Sequence, residues 1–383
     1  MDTIQGVLNY KRSGSDSKVT WSPPSALRRI DLILLDEASQ YEDQEWDRFF
    51  KSVKEQPHSP YVVTVADFKQ LQPVLSGKDG KGSLCQKFCE KMQKVELKTV
   101  YRTADEQHLV FLNRIRETQP DKAMLHEYFA NRHWRHRSLE DCVSIGMQLE
   151  EDAGGHPFTW LTVTNAGAAE VSQAALRMKG IEEDDLRAGS LCDPATKSDL
   201  RILAKPGVLL RLSRNLDKSR GFVNGALAEV CESLDGNTIF TARLKGTGNM
   251  VLVHPMHEKD TGIFLPCCYG YATTIRRAQG ADLYHGCIYF NQHKFPAARG
   301  YGYVAASRFK SRAGCYLYGK LRRSDFLPVG DELESEVLER GYESLSSEDS
   351  DGAGLEYAFG SDEECESIAS FGLGGANRLN DFV

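Results

Sequence analysis

The chain has 383 residues, of which 41% are hydrophobic and 26% charged, and carries a formal net charge of −7. That length supports two or three domains with sizeable cores, and the balance excludes wholesale disorder and collagen-like repeats. No apolar run reaches the roughly 18 residues a membrane helix needs, and residues 1–12 lack the profile of a secretory signal. A soluble intracellular protein is therefore expected, with its compartment left open.

Residues 11–25 are polar, with Gly, Ser and a Pro-Pro pair. Ile30-Asp31-Leu32-Ile33-Leu34-Leu35 then forms a continuous run, as expected of a strand buried on both faces of a parallel sheet. Tyr61-Val62-Val63-Thr64-Val65 reads as a second such strand. Between them Trp46, Phe49, Phe50 and Val53 recur at helical spacing, so the order is strand, helix, strand, a βαβ unit. Val95-Glu96-Leu97 reads as the start of another strand, and 104–116 as an amphipathic helix through Leu109, Leu112 and Ile115. Residues 117–157 are charged, carry several histidines and show no clear period; His126, His133 and His136 are too irregularly spaced for a metal site. A strand at 159–164 and a helix at 166–178 follow.

From 205 to 266 the pattern changes to short strands at 208–212, 228–231, 238–244 and 250–254. Turns such as Asn224-Gly225 and Asp235-Gly236-Asn237 separate them. This predicts a small antiparallel barrel set inside an α/β domain, whose pattern resumes at 288–290 and 314–318. Beyond Leu327 the composition is that of a disordered tail. Residues 331–383 hold fifteen acidic residues against Arg340 and Arg378, a net of −13, which leaves +6 on residues 1–330. A mildly basic body fits an anionic partner, and the acidic tail fits a basic protein or simple solvation. The ten cysteines show no C-x-x-C pair and are expected as reduced thiols.

Three stretches carry chemistry. Asp36-Glu37-Ala38-Ser39 places two carboxylates at the carboxyl end of a buried strand, where open α/β sheets bind ligands. In a nucleoside triphosphatase the first would hold Mg²⁺, since a hard cation prefers carboxylate oxygen, and the second would orient and deprotonate the attacking water. The bland alternative is a solvated strand end. The next strand ends in Asp67-Phe68-Lys69-Gln70-Leu71-Gln72-Pro73-Val74, where Gln70 could bind a phosphate oxygen or position a water, or serve an ordinary polar loop. The third is an absence: none of the Gly-Lys pairs, at Gly77, Gly80 and Gly319, is followed by Ser or Thr, so the sequence holds no G-x-x-x-x-G-K-[ST] phosphate loop.

Taken in order, these segments resemble superfamily 1 DNA helicases of the RecD-like and Pif-type branch. The first two correspond to motifs II and III. Val100-Tyr101-Arg102 resembles motif IV, and Thr162-Val163-Thr164-Asn165 the strand-end step of the second motor domain. Arg214-Asn215-Leu216 with Gly221-Phe222-Val223-Asn224-Gly225 resembles the lead into an inserted SH3-like barrel. Residues 271–280 resemble motif V, and Tyr303-Val304-Ala305-Ala306-Ser307-Arg308 motif VI. Together the matches span about residues 3 to 320.

The resemblance implies an α/β fold of RecA-like parallel-sheet motor domains: a partial first one at 1–102, a second at 103–330 with an SH3-like insertion at about 219–268, and an acidic tail at 331–383. It implies ATP and Mg²⁺ as cofactors, with Asp36 on the metal, Glu37 on the water and Gln70 sensing the γ-phosphate. Arg102 and Arg308 would stabilise transferred charge as two domains close, and Gly280 and Asp282 would border the nucleotide. Thr164, Asn165, Asn224, Arg276 and Gln279 would contact single-stranded DNA or a DNA junction. Arg214, Arg220, Phe222 and Arg277 supply the cations and stacking ring of a single-strand groove.

Where the pattern departs, Ala66 replaces a usual Gly, Arg276 a common His, and Ala278 a Ser, while Asp282 is acidic as in RecD-like members. Met1-Asp2-Thr3-Ile4-Gln5-Gly6-Val7-Leu8 resembles the end of motif Ia. The chain would then begin just after the phosphate loop, as a truncated piece, a fragmentary gene model or a degenerate copy. A sheet lacking that loop's strand and helix would leave apolar surface on Ile33 and Val63. The expected activity is ATP-driven translocation and unwinding that needs the missing loop; the alternative is an inactive nucleic-acid-binding remnant or an interaction scaffold.

Overall fold

The computed structural model describes residues 30–41, 43–54, 60–71, 92–97, 99–259, 261–292 and 297–330. The motif Ia stretch, residues 72–74 of motif III, the Gly-Lys pairs at Gly77 and Gly80, and the acidic tail lie outside them. The chain divides into two units, Met1–Thr99 and Val100–Val383.

In the first unit β1 (Leu32–Leu35), α1 (Asp43–Lys54) and β2 (Tyr61–Thr64) follow in order, and the strands pair in parallel from Leu32 with Tyr61 to Leu35 with Thr64. The helical spacing read from the sequence has a packing cause. Trp46 and Phe49 are buried, Phe50 stacks on Trp46 at 5.4 Å, and the cluster closes on Ile33, Leu35 and Val62. Each large apolar side chain buried this way stabilises by about 1.5–3 kcal/mol.

Among the described residues only one face of this sheet is covered. Leu32, Leu34, Tyr61, Val63 and Val65 are exposed, because side chains alternate across a strand and α1 covers a single side. Burial on both faces therefore fails for this strand pair. Of the two residues expected bare, Val63 is exposed, while Ile33 points to the helix side and is partly buried there. Residues 92–97 form no strand, and Val95 and Leu97 are exposed instead of paired.

The second unit opens with α2 (Glu106–Glu117), α3 (Lys122–Tyr128), β3 (His133–Trp134) and α4 (Leu139–Asp152). The first helix sits close to its expected place. α3 and α4 fall in the stretch read as aperiodic, although Asp121 and Ser138 cap them through side-chain oxygens. Next come β4 (Phe158–Thr162), α5 (Asn165–Met178) and the single-turn α6 (Glu183–Leu186).

The strand-rich region holds β5 (Leu209–Leu212), β6 (Leu227–Asp235), β7 (Ile239–Leu244), β8 (Met250–Val253), β9 (Met256–Glu258), β10 (Gly262–Phe264) and β11 (Cys267–Tyr269). After it the chain returns through β12 (Ala272–Thr274), β13 (His285–Tyr289), α7 (Tyr301–Ala306) and β14 (Cys315–Tyr318).

Two sheets organise this unit. β12-β4-β13-β14-β3 is parallel throughout, and β4 and β13 are buried along their whole length, the condition that near-continuous apolar strands require. β11-β5-β6-β7-β8 is antiparallel, with β9 and β10 as a separate hairpin. It starts at Leu209, ahead of the expected insertion at 219. Because the first sheet is parallel, the residues after β4, β12 and β13 all emerge at one edge, the carboxyl edge where such sheets bind ligands.

Candidate functional site

In the first unit the two strand-end segments are tied together. The Val65 N–H donates to the Leu35 carbonyl at 2.8 Å and the Ala38 N–H to the Val65 carbonyl at 2.9 Å. Ser39 Oγ donates to the Asp67 carbonyl at 3.2 Å. Between these anchors Glu37 takes φ 51° and ψ 38°, a left-handed conformation that disfavours any side chain by about 1–2 kcal/mol. Its N–H donates to Asp36 Oδ1 at 2.9 Å, and Gln40 Nε2 donates to Glu37 Oε2 at 3.1 Å. Asp36 is thus an exposed carboxylate at a strand end, a donor set of the kind Mg²⁺ accepts alongside phosphate oxygens. Gln70 donates through Nε2 to Asp67 Oδ2 at 3.1 Å, so its carboxamide is held at the tip of the neighbouring strand.

In the second unit three distant stretches meet at Arg102. Arg102 Nε pairs with Asp282 Oδ1 at 2.7 Å, and Arg102 Nη1 donates to the Ser307 carbonyl at 3.2 Å. Arg308 is buried; its Nε donates to the Val304 carbonyl at 3.1 Å and its Nη2 to Ser307 Oγ at 2.9 Å. Gly280, at φ 77°, makes the exposed turn just before Asp282. His108 stiffens the same corner. Its Nε2 lies 3.0 Å from the Phe309 carbonyl, which can only accept, so that nitrogen carries a proton, and Nδ1 lies 2.7 Å from the Tyr128 hydroxyl. Burial pulls its pKa below the ordinary imidazole value, outweighing the Phe309 bond.

The carboxyl edge of the parallel sheet carries a second cluster. Thr164 caps α5 by accepting the Gly167 N–H at 3.1 Å, and Asn291 meets the same turn from the end of β13. Asn165, Thr196, Lys197, Ser198, Arg211, Thr274 and Arg277 line an open cleft beside it. Lys197 and Arg211 carried no sequence signal; the fold alone brings them to the cleft that Asn165 lines. Arg277 Nη2 donates to the Ala195 carbonyl at 2.9 Å, and the Arg276 guanidinium lies 6.0 Å from the Tyr301 ring. Gln279 follows on the same turn, and Asn224 is exposed on a separate loop, where its N–H donates to Asn215 Oδ1 at 2.9 Å.

Two residues read as groove candidates are structural. Phe222 is buried in the core and presents no ring to a base. Arg214 forms a two-pronged pair with the fully buried Asp193, Nε to Oδ2 at 2.5 Å and Nη2 to Oδ1 at 2.8 Å, and also bonds Glu258 at 3.1 Å. Burial alone would raise the Asp193 carboxyl. The bonds from Arg214, the Ser213 hydroxyl and the Ala195 amide outweigh it and hold the carboxyl below the usual range. His133 bonds the Gly319 carbonyl, and among the described residues no group of three or more His, Cys, Asp or Glu could hold a metal ion.

The chain is also similar to known proteins. An AAA domain family model matches residues 1–136. The ATP-dependent DNA helicase PIF1 of Danio rerio is 24% identical over 327 residues, which is 80% of this chain and 48% of that protein. Pif1 helicase from Bacteroides, solved with ADP-AlF3 and single-stranded DNA, superposes with a TM-score of 0.60 at 17% identity, over 89% of this chain and 83% of that one. The fold is similar to that of the solved Pif1 helicases. Pif1 helicase from Candida albicans gives a TM-score of 0.56 at 18% identity, over 83% of this chain and 77% of that one. The chain spans about half the length of the curated relative it matches. Among its described residues no helix is long and apolar enough to cross a membrane.

Proposed function

We propose that this chain is the motor part of an ATP-dependent DNA helicase, coupling nucleoside triphosphate hydrolysis to movement along single-stranded DNA in the 5′ to 3′ direction that the branch resemblance implies. The observation that carries the reading is that Arg102 bridges Asp282 and the Ser307 carbonyl, next to Arg308. These three charged residues are remote in sequence, and the resemblance assigns each of them to the triphosphate. Bound Mg²⁺ would neutralise phosphate charge. Asp36 would hold it through carboxylate oxygen, while Glu37, fixed by its left-handed backbone and by Gln40, would accept a proton from the attacking water. Gln70 would hydrogen-bond a phosphate oxygen, and Gly280 would let the backbone turn close to the nucleotide.

The cleft would take the nucleic-acid backbone. Asn165, Lys197, Arg211 and Arg277 supply cations and hydrogen-bond donors around the start of α5, with Arg276, Gln279 and Asn224 on neighbouring turns. The Danio rerio relative is an ATP-dependent DNA helicase, and the Bacteroides Pif1 was solved on single-stranded DNA; both support the substrate class.

A second reading, salt-dependent nucleic-acid binding without turnover, is favoured by one observation: the Arg308 guanidinium is turned inward onto Val304 and Ser307. The deciding measurement is single-strand-stimulated ATP hydrolysis by the purified chain beside DNA binding at two salt concentrations. Turnover abolished by Glu37→Gln supports the motor; binding without turnover supports the second reading. An acidic tail that recruits a basic protein would be read by pull-down with and without residues 331–383.

A further inference from the structure

Asn291 lies two residues beyond the carboxyl end of β13 and meets the β4–α5 turn at three points. Its Oδ1 accepts the Val163 N–H at 3.1 Å and the Thr164 N–H at 3.2 Å, and its Nδ2 donates to Thr164 Oγ1 at 2.5 Å. That same hydroxyl oxygen caps α5 through Gly167, and Thr162 Oγ1 donates to the Thr164 carbonyl at 2.9 Å. A carboxamide can accept two amides at one end and donate to a hydroxyl at the other, which an ionised carboxylate cannot. Gly167 is shaped to the contact, since a Cβ there would fall 2.4 Å from Asn291 Cγ.

Starting the helix does not require this arrangement, because a Thr cap alone satisfies a first-turn amide. What the carboxamide adds is a fixed orientation for Thr164 and for the first-turn N–H groups that no helix carbonyl can accept. Asn165, the first residue of α5, lines the cationic cleft.

We propose that Asn291 is a positioning residue for phosphate binding: without touching nucleic acid, it presets the β4–α5 turn against which a backbone phosphate is held. The role rests on reading the cleft as a single-strand site. Preorganisation of this kind raises affinity by removing the ordering that the turn would otherwise undergo on binding.

The test is fluorescence anisotropy of a labelled oligothymidine with the full chain, alongside thermal unfolding of each variant. Asn291→Ala removes the clamp. Gly167→Ala drives a Cβ into the Asn291 carboxamide and forces it off the turn from the other side. Each is expected to weaken binding by the folded chain about tenfold. The double variant is expected to be no weaker than either single one, because both release the same turn. A merely structural Asn291 would lower the unfolding midpoint and leave the affinity of the folded chain unchanged, which overturns the proposal; so does an additive double variant. If the wild-type chain binds no oligothymidine at low salt, the cleft reading itself fails and the positioning role falls with it.

Discussion

Two arginine–carboxylate pairs in the second unit look alike in sequence and differ in every physical respect. Arg214 and Asp193 form a two-pronged pair around a fully buried carboxylate, with Ser213 and Ala195 completing its shell. Arg102 and Asp282 share a single bond with both side chains substantially exposed. The first has bonds enough to offset the loss of water and is committed to the fold. The second holds its charges loosely at the surface, where a ligand can compete for them. An arginine becomes available for chemistry through weak partnering, and partnering is set by burial that the sequence does not display.

Asp193→Ala tests that contrast most severely. It leaves Arg214 facing a buried gap, and loss of one partner of such a pair destabilises by about 3–5 kcal/mol, read by thermal or denaturant unfolding. An effect below 1 kcal/mol would show that the pair is not structural. Next in size, Glu37→Gly is expected to stabilise the first unit by about 1 kcal/mol, because glycine adopts the left-handed conformation without strain. The same change should abolish any ATP turnover, separating conformational cost from chemistry at one position. Asp282→Ala should change stability by less than about 1 kcal/mol, as exposed pairs do, yet alter the dependence of turnover on ATP concentration; unchanged kinetics would remove Asp282 from the nucleotide site.

The smallest effect is in pH. The His108 pKa lies below the ordinary value of about 6.5, so the unfolded chain binds the extra proton first as pH falls. Its contribution is complete above that ordinary value and declines as pH falls through it toward the folded pKa. His133 shifts in the same direction, also through burial. Unfolding midpoints measured between pH 5 and pH 8 should therefore drop on the acid side, and His108→Gln should flatten part of that slope; an unchanged slope would contradict a buried neutral ring.

Much of the fold was legible because periodicity follows packing. β1, α1 and β2 were read from apolar runs and from Trp46, Phe49, Phe50 and Val53 at helical spacing. The strands of the antiparallel sheet were read from turn signals and lie within a few residues of their expected places. α4 was missed because its buried stripe is Leu139, Cys142, Val143 and Gly146, where a thiol and a glycine stand in for larger apolar groups. That glycine is required by close approach, since a Cβ would lie 2.8 Å from the Phe158 ring. β3 has two residues and no pattern to find. At the candidate site the strand-end carboxylates and the arginines were visible as motifs. The cleft was not, because Lys197 and Arg211 reach it only through the tertiary fold.

The tryptophans give these units separate optical signatures. Trp46 is buried among Tyr41, Phe49 and Phe50 in the first unit, whereas Trp134 and Trp160 share one aromatic cluster with Phe158 and Tyr316 in the second. Trp21 lies outside the described residues. With Trp21 and Trp46 replaced by phenylalanine, the remaining indole emission would come from the second unit alone. Its red shift in denaturant, set beside that of the complementary variant, would report whether the two halves of the chain melt together or in sequence.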